Sequence, residues 1–269
     1  MEQKEIVRKL FEKGVLLSPQ ALSQITEEQA ASLPAGATIV ASLPEQRLTV
    51  KDIAGFYQEK YRGIRGLLLG KLSPLSISHA GKAMGEASVI GMVREKTPSG
   101  FVLEDPTGAL DVRSTHSPGL GDVLGVTGVM REGALMEQEI MYPDVPLARP
   151  AKRGQGRLIL SVQAGLSVRY EGTEATDIPV GPLPAWLQAG GTEILVCEGD
   201  GSPQEWLKKR HLPETIRSSS DPFIIEQVPD ILWVVSGKNK AENYKGVLIV
   251  HTSGLARVDL ATLQAEFVG

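Results

Sequence analysis

Between Thr49 and Leu69 apolar residues return every three or four positions, at Val50, Ile53, Tyr57, Tyr61, Ile64 and Leu68, which is the period of an amphipathic helix. Thr49 with Asp52 resembles a capping-box start, and the opposite face carries Lys51, Arg62 and Arg65. Upstream, residues 1–33 read as short helices. The first has Ile6, Val7, Leu10 and Phe11 on one face and Gly14 to end it. The second opens at Ser18-Pro19, with Ala21, Leu22 and Ile25 behind it. Pro34 to Pro44 is a Gly/Pro-punctuated connector with room for a short strand, TIVASL.

From 86 to 147 the pattern changes to short β runs: ASVIGMVREK, GFVLEDP, ALDVRS, DVLGVTGVM and LMEQEIMY, divided by Gly, Pro, Asp and Ser turns. A five-stranded oligonucleotide-binding (OB) barrel fits this length, and pattern alone leaves a generic barrel or sandwich open. ARPAKRGQG, 148–156, lacks periodicity and reads as a linker. Beyond it come RLILSV, a Pro/Gly-rich stretch over 172–191, EILVCEG, a helix near 203–210, DILWVVSG and GVLIVHTSG. Continuous apolar runs ending in glycine predict buried strands of a layered α/β sheet. The expected fold class is thus α+β and multidomain. It comprises a helical unit and connector over 1–45, a basic amphipathic helix segment over 46–85, a barrel over 86–150 and an α/β sheet domain over 151–269.

Charge narrows the function classes. The 269 residues carry a net charge of −4 and a pI near 5.7, against a protein that coats nucleic acid through its overall field. Over 46–82, however, seven basic residues face two acidic ones. That run is either a solvated helix face or a contact for DNA or an acidic partner, with Lys51, Arg62 and Arg65 its candidates. The barrel segment 86–150 has ten acidic against five basic residues and few aromatics for stacking, chiefly Phe101 and Tyr142, which suits protein contact better than single strands.

The lone cysteine, Cys197, excludes an internal disulfide and the common zinc patterns, and points to a cytoplasmic protein. Neither a signal peptide nor a membrane span is read from the sequence, so a soluble protein is expected. His79, His116, His211 and His251 are scattered without metal-ligand spacing. His251 beside Thr252 and Ser253 suggests a nucleophilic pair or, more simply, a satisfied strand end. SPGLGD makes no nucleotide fingerprint.

Several strings, in order, resemble the small subunit of the archaeal D-family DNA polymerase: FEKGVLLSPQAL at 11–22, FYQEKYRGIRGLLLGKL at 56–72, IGMVREK at 90–96, EDPTG at 104–108 and EIMYPDVPL at 139–147. The likeness continues through RLILSV, EILVCEGDGSPQEWLKKRHLPETIR and VPDILWVVSG to NYKGVLIVHTSG, with a deletion around 168–190. The resemblance implies an OB barrel followed by a calcineurin-like phosphoesterase domain, here reduced. It also implies docking onto a polymerase catalytic (large) subunit, and Tyr142, Pro143 and Asp144 of the barrel-closing element are candidates for contact with DNA or a partner.

Such phosphoesterases hold two divalent metals on Asp, Asn and His at strand ends. At the corresponding positions this chain has Val162 and Ala164, then Asp200, Gly201 and Ser202, then Lys238 and Lys240. A lysine offers only donors and places positive charge at a dication site. The resemblance therefore implies no metal, no cofactor and no hydrolysis. The enzyme alternative is a 3′–5′ exonuclease, and a third reading is a single-strand-binding module.

Overall fold

The computed structural model describes residues 48–268 except 148, 150, 151, 163, 164, 214, 215, 217 and 218, and gives only the backbone of Pro179. The helical unit expected over 1–45 lies outside the described residues. Val50–Gly269 clusters as one unit, separate from Met1–Thr49.

Helix α1, Val50–Leu69, matches the sequence expectation in extent but not in face. Its buried residues are Phe56, Lys60, Ile64 and Leu68, an i, i+4 stripe, while Val50 is 85% and Ile53 39% exposed. The cause is the position of the contact. Ile64 and Leu68 pack with Ile90 and Val123 of the barrel and Phe56 stands 6.5 Å from the ring of Phe223, so only the first turn is left uncovered. Gly63 has a packing role, because a Cβ there would stand 2.7 Å from the Ile224 side chain. Lys60, counted above as surface charge, is buried.

The five β runs each become one strand: β1 Gly85–Thr97, β2 Gly100–Asp105, β3 Gly108–Arg113, β4 Val123–Arg131 and β5 Ala134–Met141. They close a barrel in the order β1-β2-β3-β5-β4. Closure comes from the parallel pairing of β3 with β5 and from β1, which pairs with β4 along one half and β2 along the other. A register shift between Val93 and Glu95 lets the 13-residue β1 bend between its two partners. At the β1–β2 turn Gly100 has φ +150°, and a Cβ there would collide with the carbonyl of Val112. Val89, Val93, Phe101, Leu103, Leu124 and Leu135 fill the interior, joined by Ile77 of the four-residue helix α2, Ile77–Ala80. Phe101, considered above as a stacking residue, is a core side chain at 1% exposure.

After the barrel come two five-stranded sheets. One has the order β12-β13-β11-β10-β9, from Lys240–Tyr244, Val247–Thr252, Ile231–Val235, Thr192–Glu198 and Ala185–Ala189. Its central strands β10, β11 and β13 are parallel. The other, β15-β14-β6-β7-β8, from Gln264–Val268, Leu255–Asp259, Arg157–Ser161, Ser167–Glu171 and Ala175–Pro179, is antiparallel throughout.

Alternation along the parallel strands explains their continuous apolar character. Ile194, Val196, Ile231, Trp233, Leu248 and Val250 meet Leu158, Leu160, Ala256 and Val258 of the second sheet. Leu195, Cys197, Leu232, Val234 and Ile249 face the other way, toward Trp206 and Leu207 of helix α3, Pro203–Lys209, and toward Ile225. The expected layered sheet is thus sheet on sheet on one face. Two readings change. RLILSV sits in the antiparallel sheet rather than beside the parallel strands, and the Pro/Gly-rich stretch 172–191 contains strands β8 and β9. The molecule is a sheet-rich mixture of α and β structure, and no described helix is long and apolar enough to cross a membrane.

Candidate functional site

Strands β10, β11 and β13 run in one direction, so the segments after them, 199–202, 236–239 and 253–254, emerge at one edge, where open α/β sheets carry their sites. Asp200, Gly201, Ser202 and Lys238 lie in these segments and are exposed. Val162 joins them, its amide donating to the Gly254 carbonyl at 2.9 Å, and Lys240 opens β12 opposite His251. Ala164 lies outside the described residues.

Several polar groups of this edge hold one another. Glu242 accepts from Lys240 at 2.6 Å and from Gln204 at 3.3 Å, and the Lys240 ammonium holds its carboxyl below the usual range. Asn239 Oδ1 receives the amide and hydroxyl of Ser253 at 2.9 and 3.1 Å. The Trp233 indole donates to Thr252 Oγ1 at 2.8 Å inside the sheet. Ser253 therefore does not partner His251. The histidine instead faces Ser236 at 3.4 Å and Glu242 at 3.7 Å, longer than the roughly 2.6–3.2 Å reach of a working proton relay. Burial, with help from nearby Lys240 and Lys238, pushes the His251 pKa down. Among the described residues no three His, Cys, Asp or Glu side chains gather to hold a metal.

Sequence reasoning missed Glu242 as the centre of this cluster. The available signal was the alternation of β12, which places Lys240 and Glu242 on one face. It also missed a buried pair elsewhere, His211 Nε2 with Asp221 Oδ2 at 2.9 Å, because nothing links the two residues until the chain folds.

Tyr142, Pro143 and Asp144 lie at an internal joint. Asp144, at φ +46°, accepts from the Val145 amide at 2.6 Å, from Tyr244 at 3.0 Å and from Lys245. Its own amide donates to the Lys208 carbonyl at 2.8 Å, and the Pro143 carbonyl accepts from Lys71. Tyr142 lies under the Lys208 ammonium, 4.7 Å from its ring centre. Buried Arg210 donates to the carbonyls of Ile225 at 2.6 Å, Glu226 and Asp144, and burial lowers its pKa to about 10. EDPTG is likewise structural. Asp105 accepts from the amides of Ile77, Thr107 and Gly108 at 3.0, 2.7 and 3.1 Å, tying α2 to the barrel.

A second place is less self-contained. A groove of about 860 Å³ runs between α1 and strands β1 and β2. Tyr57, Tyr61, Pro74, Leu75, Ile90 and Met92 give it an apolar lining, with Arg62, Arg65 and Arg94 beside them. The Tyr61 hydroxyl donates to the Ile90 carbonyl at 3.3 Å. Of the basic candidates, Arg62 and Arg65 are therefore brought together here, while Lys51 lies in the first turn of α1 and outside the lining.

Over 148 residues the chain is 30% identical to the DNA polymerase II small subunit of Archaeoglobus fulgidus. The match covers 50% of this chain and 30% of that protein, so it spans less than a third of the relative's length. No protein-family model matches the sequence.

Proposed function

We propose that this protein is a non-catalytic accessory subunit of a DNA polymerase, a scaffold that docks onto the catalytic large subunit. The observation that carries the reading is the similarity to a DNA polymerase small subunit. In this reading the five-stranded barrel is an OB fold, and the paired sheets are a reduced calcineurin-like phosphoesterase domain whose metal site has been lost. Val162, Gly201, Ser202, Lys238 and Lys240 at the edge of the parallel strands support that loss, since none offers the donor set that paired cations need. Lys240, Glu242 and Gln204, and likewise Asn239 and Ser253, already bond to each other there, which suits a structural edge.

Co-expression with a DNA polymerase II large subunit and size-exclusion chromatography tests the docking, and a stoichiometric complex is expected. For the exonuclease alternative, the purified chain is given a labelled DNA 3′ end with manganese. No digestion is expected. Digestion that disappears in Asp200→Ala would overturn the scaffold reading.

A further inference from the structure

We propose that the groove between α1 and the barrel is a docking site for an acidic amphipathic segment of a partner chain. It rests on the accessory-subunit reading only for the partner's name, which would then be the catalytic subunit.

Three observations carry it. First, the groove wall keeps apolar surface in solvent: Tyr61 is half-buried on it and Leu75 is 43% exposed. A contiguous apolar lining rimmed by polar side chains marks an interaction surface.

Second, the charge is net positive, with Arg62, Arg65 and Arg94 lining the groove against Glu104 and Asp105. Asp105 is occupied by its own loop and Glu104 pairs with Arg94 at 3.5 Å, whereas among the described residues no ion pair engages Arg62 or Arg65. Two guanidinium groups one turn apart match carboxylates spaced along a helix or extended chain.

Third, the barrel is closed, so β1 and β2 offer no unpaired edge for an added strand, and recognition must run through side chains. Beside Tyr57 and Tyr61, the apolar part of the lining is Pro74, Leu75, Ile90, Met92 and Pro106, and this non-aromatic majority favours Leu-like side chains over bases, since bases gain most from aromatic faces.

The probe is a fluorescein-labelled peptide of about four helical turns with leucine along one face and glutamate elsewhere, titrated into the full chain and followed by anisotropy. Saturable binding is expected, weakened about tenfold or more in the double variant Arg62→Glu, Arg65→Glu and several-fold in Leu75→Glu. Arg131→Glu, on the β4–β5 hairpin, should bind as wild type. Unchanged thermal melting of each variant excludes misfolding. Tighter binding of a labelled oligothymidylate that is lost in the double variant would overturn the proposal in favour of nucleic acid. Self-association in ultracentrifugation abolished by Leu75→Glu would overturn it in favour of a second copy, and no peptide binding would overturn it outright. The co-expression experiment separates the two ideas. A large-subunit complex that survives both groove variants removes this site and leaves the accessory reading standing. Peptide binding without any complex does the reverse.

Discussion

The edge of the parallel strands and the α1 groove differ in what their polar groups do. At the edge, where topology favours chemistry, each engaged side chain has a neighbour within the fold: Lys240 has Glu242, Asn239 has Ser253, and Trp233 has Thr252. In the groove, lined largely from the strings at 56–72, 90–96 and 104–108, Arg62 and Arg65 have no ion-pair partner among the described residues and Leu75 stays 43% exposed. Position in a fold marks where a site is easily built, whereas charges without a counter-charge mark where something is still to bind. Edge substitutions should therefore lower stability, and groove substitutions should lower binding.

The largest effect belongs to Trp233→Ala. Trp233 is fully buried in the core between the two sheets and its indole bonds Thr252. Truncation should cost about 3–5 kcal/mol of unfolding free energy in urea titrations, since it removes both the packing and the donor that Thr252 bonds. Asn239→Ala should cost about 1 kcal/mol, because it strands the Ser253 amide and hydroxyl at a solvated loop where water can replace part of the bond. If either variant instead left stability untouched and abolished an activity, the edge would be a working site and the contrast would collapse.

Much of this contrast was legible beforehand, and the reason is local. The barrel strands follow from runs bounded by turn residues, and α1 follows from its 3.6-residue period. The parallel strands follow from apolar runs that must be buried on both faces. What the sequence hid was tertiary. The buried stripe of α1 is set by what the helix packs on, the barrel at Ile64 and Leu68 and Phe223 at Phe56, so Lys60 went in and Val50 stayed out. Strands β8 and β9 were masked by Gly181, Pro182 and Pro184, which punctuate the few residues between them. Glu242 became the hub of the edge only through the pairing of β12 with β13.

The edge should also be sensitive to acid in a defined window. The folded-state pKa of His251 lies below its ordinary value of 6.5, with burial the first cause. Between those two values the unfolded chain binds the proton and the folded chain does not, so stability rises with pH through the window and is lost as pH falls below 6.5. Glu242, whose pKa is depressed by Lys240, contributes stability above 4.5 that is lost at lower pH. Denaturation midpoints should therefore fall as pH drops below 6.5 and again below 4.5, and His251→Gln should flatten the upper fall and keep a lower one, reduced by the part His251 itself plays in holding Glu242 down. A single step unchanged by the substitution would show that His251 titrates as it does in the unfolded chain.

The smallest expected effect on stability is that of Arg62→Glu with Arg65→Glu, and it is the sharpest test of the contrast. Both side chains are exposed on α1, and among the described residues no ion pair is lost with them. Wild type has two like charges three residues apart, a repulsion of a few tenths of a kcal/mol that the double reversal reproduces with the opposite sign, so this term cancels. Reversal places carboxylates in the second half of the helix, where the macrodipole disfavours them by about 0.3 kcal/mol, and it removes the Arg65 positive charge near the Tyr61 hydroxyl. The Tyr61 hydroxyl keeps its bond to Ile90, so no buried donor is left alone. The sum should stay within about 0.5 kcal/mol of wild type in urea titrations. A loss of several times that figure would mean that the two arginines hold the fold together, and that the groove, like the edge, is already satisfied from within.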